Sequence, residues 1–417
     1  AHGRGAALPC SIRAHVMSEA ISQKTQRAYD LDHSFDRRTA LGNVRRVVVK
    51  VGTSTLSSEN GRLDRAYIAE LMEQVAGLRN SGREVAIVSS GAVGAGIGAL
   101  ILKKRPGSIG DLQAVAAVGQ SLLMHFYDDA ASPMGIRVAQ VLLSAADLRR
   151  KVGYQNVRNV FESLFRLKAL PIVNENDSVA VEELKFGDND SLSAHVANLV
   201  DADLLVILSD VDGLYRGTPG AESAPPLIPT VYRIESEVEG LCGASTSGVG
   251  IGGMATKISA AKMLAASGVP TIIANGRTTR LEDIVSGRPV GTIFLPVSAS
   301  AHTSRHQHWI LAQKTLGRLT VDSGAARAIV ERNTSLLPSG IQRVTGRFSE
   351  GDAVAILTED GVEIARGITR YSADEIRKIA RHHSREIETA LGYTRGDEVV
   401  HRDNLVTVTD GLPRAAR

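Results

Sequence analysis

Four stretches of the chain carry side chains able to handle a phosphate or an amino acid. Lys50-Val51-Gly52-Thr53-Ser54 sets a lysine at the end of an apolar run, followed by a glycine and two hydroxyls. An ammonium, hydroxyls and accessible backbone N–H groups can together hold a phosphate. The alternative is a lysine at the fold's edge, its stem on the protein and its ammonium in water. In Ser247–Lys257 (SGVGIGGMATK), four glycines lead into a helix start, a ready anion site. Lys257 falls in the first turn of that helix, where a cation opposes the helix dipole. It is either solvated or placed to meet a bound phosphate.

The other two stretches suit a small polar ligand. Ser89-Ser90-Gly91-Ala92 offers small residues that let a ligand approach the backbone, or simply a tight turn. Asn174-Glu175-Asn176-Asp177 and Gly187-Asp188-Asn189-Asp190 carry amides and carboxylates that can read an ammonium and a carboxylate. They could also orient lysines or hold Mg²⁺, although turn chemistry alone favours Asn and Asp in loops. Two lysines, a glycine loop and Mg²⁺ suit phosphoryl transfer, which depends on positioning and charge neutralisation more than on covalent chemistry. The chain has no Walker A motif, so a P-loop fold is not expected.

Three other motif matches fail on context. Gly94–Ala99 fits a loose dinucleotide fingerprint but lacks the second strand ending in an acid. His401-Arg402-Asp403 resembles a protein-kinase triplet, but its Asn is at the wrong spacing and there is no DFG. Asn333-Thr334-Ser335 is a sequon that matters only in a secreted chain.

The elements that must position these residues alternate between strand and helix. Strands are expected at 44–51, 85–89, 170–174, 204–209 and 270–274. Helices are expected at 64–81, 112–131, 156–168, 190–200 and 254–267. In 64–81, Ile68, Leu71, Met72, Val75 and Leu78 make one apolar face, with Asp64 as N-cap and Gly82 as stop. This alternation predicts an α/β fold of three layers with a mainly parallel sheet. Ligands bind such sheets beyond the carboxyl ends of the strands, and polar clusters follow the expected strands at Gly52–Ser54, Ser89–Gly91, Asn174–Asp177 and Ser209–Asp212. Residues 298–317 read as a polar linker. Residues 318–405 read as a small β-rich domain with one helix over 372–392.

Bulk properties narrow the classes. The 417 residues predict two or three domains, and 43% hydrophobic with 4% aromatic suits a sheet packed with aliphatic residues. A net charge of +3 gives no footprint for nucleic acid or membrane, and no apolar run reaches the length of a membrane span. Cys10 and Cys242 form neither a zinc site nor a disulfide framework, so a reducing compartment, the cytoplasm, is expected. Residues 1–43 read as a disordered extension. Its first 18 residues contain Arg4 and Arg13, no acid and no apolar core, which excludes a secretory signal.

The stretches VVVKVGTSTL, VSSGAVGAG, AVGQSLL, PIVNENDSVA, FGDNDSLSA, LSDVDGLY and GIGGMATKISAA resemble, in order and spacing, the glutamate 5-kinases of the amino acid kinase fold. TVDSGAARAI, SLLPSGI, VTGRFSEGD and RGITRYSADEI resemble the PUA domain that follows the kinase in many members. The resemblance spans about 44–405. It implies an amino acid kinase domain over 44–297, a PUA domain over 318–405 and a tail over 406–417. It also implies phosphorylation of the γ-carboxylate of L-glutamate by ATP with Mg²⁺, the first step towards proline.

By that resemblance Lys50 contacts the ATP phosphates. Ser90, Asp177 and Asn189 bind glutamate, with Asp190 beside it. Ser209 and Asp210 lie in the nucleotide site together with Ile251, Gly252, Gly253, Met254, Ala255, Thr256 and Lys257. Lys257 stabilises the transferring phosphoryl group, and Asp188 orients the two lysines. No protein metal ligand is implied, the Mg²⁺ riding on the phosphates. Ser209 stands where many members have Thr, which keeps a hydroxyl there. Inhibition by proline and a homodimer or homotetramer are further implications.

PUA domains elsewhere bind RNA, but residues 318–405 hold 13 Lys+Arg against 14 Asp+Glu, without the basic excess of a nucleic-acid site. A regulatory or assembly role is expected instead. The competing readings are a kinase for aspartate, N-acetylglutamate, carbamate or UMP, an RNA-binding protein built on the PUA region, and an inactive regulatory homologue.

Overall fold

A computed structural model of the chain describes residues 28–30, 35–58, 62–149, 151–179, 188–217, 225–241, 253–296 and 305–408. The chain divides into two compact units, residues 1–301 and 302–417.

In the first unit a nine-stranded sheet is built from β1 (Tyr29–Asp30), β2 (Arg46–Val51), β3 (Glu84–Ser89), β4 (Val138–Leu143), β5 (Leu170–Glu175), β6 (Leu204–Ser209), β7 (Thr230–Val231), β8 (Thr271–Asn275) and β9 (Thr292–Phe294). Their order is β1-β7-β9-β8-β6-β2-β3-β5-β4. The run β8-β6-β2-β3-β5-β4 is parallel. Val47, Val48, Val49 and Val51 are all buried, because helices cover both faces of a parallel sheet. The departure from parallel is at one side, where β9 runs antiparallel to β8 and β1 to β7.

The helix over Arg65–Asn80 starts at Asp64, whose carboxylate accepts from the Tyr67 N–H at 3.1 Å, and it buries the predicted Ile68, Leu71, Met72, Val75 and Leu78. Its Gly82 stop has φ +85. The glycine-rich stretch that follows Gly91 is a helix (Ala92–Ala99). Its glycines allow it to lie against the helix Ile109–Ala131 at backbone contact. A Cβ at Gly119 would fall 1.8 Å from the Ala92 carbonyl oxygen, and one at Gly96 would fall 1.9 Å from that of Val115.

Part of the stretch expected to be disordered is built into the sheet. Residues 35–43 contain the helix Arg37–Leu41, capped by Asp36, and Leu41 is fully buried. Arg37 is only 4% exposed and donates to the carbonyls of Pro229 at 2.6 Å, Gly291 at 3.0 Å and Val290. Burial pushes its guanidinium down to about 10. Sequence composition hid this anchor, because a basic segment reads as solvated until its carbonyl partners are in place.

The second unit is a five-stranded sheet of β10 (Gly317–Val321), β11 (Ile341–Gly346), β12 (Ala353–Leu357), β13 (Glu363–Ile368) and β14 (Leu405–Thr407), ordered β11-β10-β12-β13-β14. Only β10 and β12 pair in parallel. Leu319, Val354, Ile356, Ile364 and the fully buried Tyr371 fill its core. The helix expected over 372–392 is two, Ala373–Ile379 and Ile387–Leu391, separated where Arg381 takes φ +67. A further helix, Ser323–Arg332, follows β10. Within the stretch read as a linker, Arg305–Ala312 is helical, with Trp309, Ile310 and Leu311 buried. Arg366 donates to the Leu311 carbonyl at 3.1 Å.

Candidate active site

The six strands of the parallel run end at one rim of the first sheet, and helix starts follow several of them. Gly52 precedes the short helix Thr53–Leu56 after β2, and Gly91 precedes Ala92–Ala99 after β3. At φ +102, Gly91 takes the left-handed turn that a residue with a Cβ resists. Asp188 and Gly253 cap the helices Asn189–Leu199 and Met254–Ala266.

At this rim the carboxylate of Asp190, with no exposure, lies between two lysines. Its Oδ1 is 2.6 Å from Lys50 Nζ and its Oδ2 is 3.3 Å from Lys257 Nζ. Both lysines are 6% exposed. Thr256 Oγ1 lies 2.6 Å from the same Oδ2 and 2.8 Å from the Gly253 carbonyl, and Lys257 Nζ reaches that carbonyl at 3.4 Å.

Burial opposes charge on Lys50 and holds its ammonium below the usual lysine range, although Asp190 favours the charged form. Burial acts on Asp190 in the raising direction. Lys50 and Lys257 outweigh it, so the carboxyl sits below its ordinary value. Two lysines share one directly bonded carboxylate, with Asp188 acting on Lys50 from further off, and a phosphate would add negative charge beside both lysines.

The two aspartates take different places in this arrangement. Asp188, expected to orient the lysines, caps its helix, accepting from the Ser191 N–H at 2.7 Å, and its charge also favours the ammonium of Lys50. Burial raises its pKa. Asp190, expected beside the amino acid, makes the contacts with both lysines. Two positions along, a helix turns by about 200°, so a cap and an inward carboxylate are not told apart by spacing alone.

Beside this cluster Asn189 Nδ2 donates towards Ser90 Oγ (2.9 Å), the Ser89 carbonyl (3.2 Å) and Asn174 Oδ1 (3.0 Å). Asn174 Nδ2 donates to Gln120 Oε1 at 2.8 Å. Ser89 Oγ bonds the buried Tyr127 hydroxyl at 2.9 Å, and burial pushes that phenol up to about 12. Asp177 lines a cavity of about 330 Å³ whose wall includes Gln120, Gln140, Glu175, Asn176 and Ser178. Gln120 falls in the AVGQSLL stretch but received no role from sequence, and neither its place beside Asn174 nor Thr256's bond to Asp190 could be read from spacing.

On the other side of β2, Ser209 ends β6 and donates to Asp210 Oδ1 at 3.0 Å. Asn275, ending β8, donates to Asp212 Oδ1 at 3.0 Å, and Tyr215 donates to Asp212 Oδ2 at 2.7 Å. Met254 is half-buried and Ala255 exposed at the start of their helix. Ile251, Gly252, Gly187 and the glycines before 251 lie outside the described residues.

The profile of the Amino acid kinase family matches residues 45–275, and that of the PUA domain matches residues 317–391. The chain is 51% identical to the glutamate 5-kinase of Trichlorobacter lovleyi, over 89% of this chain and 99% of that one. It is 47% identical to that of Geobacter sulfurreducens, over 89% and 100%. It is 48% identical to that of Deinococcus radiodurans, over 87% and 99%. With its strand order, its paired lysines and these relatives, the chain belongs to the amino acid kinase family, among the glutamate 5-kinases that carry a PUA domain.

Proposed function

We propose that this enzyme transfers the γ-phosphoryl group of ATP to the γ-carboxylate of L-glutamate, giving ADP and γ-glutamyl phosphate, the first step towards proline. The observation that carries the chemistry is the Lys50–Asp190–Lys257 cluster. A γ-carboxylate oxygen attacks the γ-phosphorus, and the bond from that phosphorus to the β–γ bridging oxygen breaks. The acceptor is already ionised near neutrality, so no general base is required. The obstacle is an anion approaching an anion, and the two ammoniums reduce that repulsion where charge develops.

Asp190 keeps both ammoniums charged and apart, and Thr256 fixes Asp190. Asn189 has its amide hydrogens committed, which leaves its Oδ1 as an acceptor for the substrate's ammonium, with Ser90 and Asp177 nearby. Ser209, Asp210 and the residues from Ile251 to Lys257 hold the nucleotide. Among the described residues no group of three or more His, Cys, Asp or Glu forms a metal site. We assign Mg²⁺ to the ATP phosphates, where it would offset their charge.

No described helix is long and apolar enough to cross a membrane. We assign the enzyme to the cytoplasm, as a homodimer or homotetramer inhibited by proline, with the PUA domain serving regulation or assembly rather than RNA.

The test is ADP release with Mg²⁺-ATP and L-glutamate, L-aspartate or N-acetyl-L-glutamate. Turnover confined to L-glutamate is expected, and equal turnover with another acceptor would contradict the reading. Lys257→Ala should lower kcat by about 10²-fold or more, with little change in KM for ATP.

A further inference from the structure

We infer that Gln120 recognises the α-carboxylate of the amino acid substrate through its Nε2, an inference that rests on the function proposed above. Three amides run from the phosphoryl-transfer site to the cavity beside Asp177, and two backbone groups fix which way each one points. The Glu175 N–H can only donate, and it meets Asn174 Oδ1 at 2.9 Å. The Ser89 carbonyl can only accept, and it meets Asn189 Nδ2 at 3.2 Å. Asn174 therefore turns its oxygen towards Glu175 and Asn189 and its NH₂ towards Gln120. Gln120 must accept with Oε1, which leaves its Nε2 as a donor.

That Nε2 is buried and has no hydrogen-bond partner among the described residues, in a side chain only 8% exposed. A buried donor without a partner is disfavoured, and its presence calls for an acceptor that completes the site. Gln120 lines the cavity of about 330 Å³, with Gln140, Asn176, Asp177 and Ser178 in the same wall. That size and polarity suit the amino-acid end of a small substrate. β5, which contributes Glu175 to the wall, lies two strands from β2, which carries Lys50. At ordinary strand spacing that is about 10 Å. An α-carboxylate at Gln120 would then leave the γ-carboxylate directed towards the lysines.

The test compares L-glutamate with 4-aminobutyrate, which keeps the γ-carboxylate and the amine and lacks the α-carboxylate. Gln120→Leu removes the donor. Gln120→Glu keeps an acceptor for Asn174 but replaces the donor with a second acceptor. In both variants the ratio of kcat/KM for L-glutamate to that for 4-aminobutyrate should fall by about tenfold or more, because the contact being lost is to a charged group. KM for ATP should stay within about twofold. A ratio equal to that of the wild type would overturn the inference, whether both substrates decline together (Gln120 merely holds Asn174) or neither does (a water satisfies Nε2).

Should the variants fail to fold, the wild type crystallised with L-glutamate decides. An α-carboxylate oxygen about 3 Å from Nε2 supports the contact, and a water in that place refutes it. Wild-type protein that makes no ADP with L-glutamate would remove the proposed function itself. Normal turnover with an unchanged ratio would remove only the role of Gln120.

Discussion

Asp190 holds Lys50 by one carboxylate oxygen at 2.6 Å and Lys257 by the other at 3.3 Å. The strand β2 and the helix Met254–Ala266 thereby deliver their ammoniums to one point. Asp190→Asn should lower kcat by about 10²-fold and destabilise the fold by about 3 kcal/mol, since two buried ammoniums would face a neutral amide. Asp188→Asn should change stability by less than about 0.5 kcal/mol, because Asn is as good an N-cap as Asp. Steady-state kinetics and thermal unfolding of the two variants separate the roles. Equal losses in both would contradict the assignment.

The lowered pKa of Lys50 gives a pH dependence with a definite sign. Burial favours the neutral amine, so in the free enzyme Lys50 loses its proton below the usual lysine range as pH rises. Bound phosphates favour the ammonium and move that loss to higher pH. The alkaline limb of kcat/KM for ATP should therefore lie at lower pH than the alkaline limb of kcat. Coincident limbs in the two profiles would count against Lys50 as a phosphate ligand.

The parallel strands were legible because β-branched runs such as Val47–Val49 suit only a sheet buried on both faces. The helix Arg65–Asn80 was legible from its cap and its periodic face. Less could be read where tertiary contacts decide the outcome. The glycines of 92–99 suggest a turn when alone, but they permit a helix once Ile109–Ala131 packs on it. β4 is the edge strand, mostly half-buried, and borders the cavity through Gln140. The residue types of the site were legible, but its wiring was not. Which of Asp188 and Asp190 turns inward, and that Gln120 ends an amide chain, depend on atoms brought together from distant segments.

The close crossing of Gly96 and Gly119 predicts an intolerant position set by backbone packing. Gly119→Ala would set a methyl against the Ala92 carbonyl and the Gly96 amide. The two helices must separate, at a cost of about 3 kcal/mol. Denaturant unfolding measures it, and a loss below about 1 kcal/mol would show that the helices part easily.

Arg37 predicts a purely structural effect. Arg37→Met keeps the buried stem but abandons the carbonyls of Pro229, Val290 and Gly291. Stability should fall by about 2 kcal/mol while kcat of the folded enzyme stays within about twofold. Thermal unfolding and kinetics on the same preparation check both.

The central claim is that a glutamate γ-carboxylate oxygen attacks the γ-phosphorus of ATP at the Lys50–Asp190–Lys257 cluster. The most direct measurement supplies L-glutamate labelled with ¹⁸O in both γ-carboxylate oxygens, together with Mg²⁺-ATP. The product γ-glutamyl phosphate closes on its own amine and releases phosphate that carries the bridging oxygen. The account predicts released phosphate bearing one ¹⁸O, formed in step with ADP. Unlabelled phosphate formed in step with ADP would mean that water, not glutamate, takes the phosphoryl group, and would contradict the account.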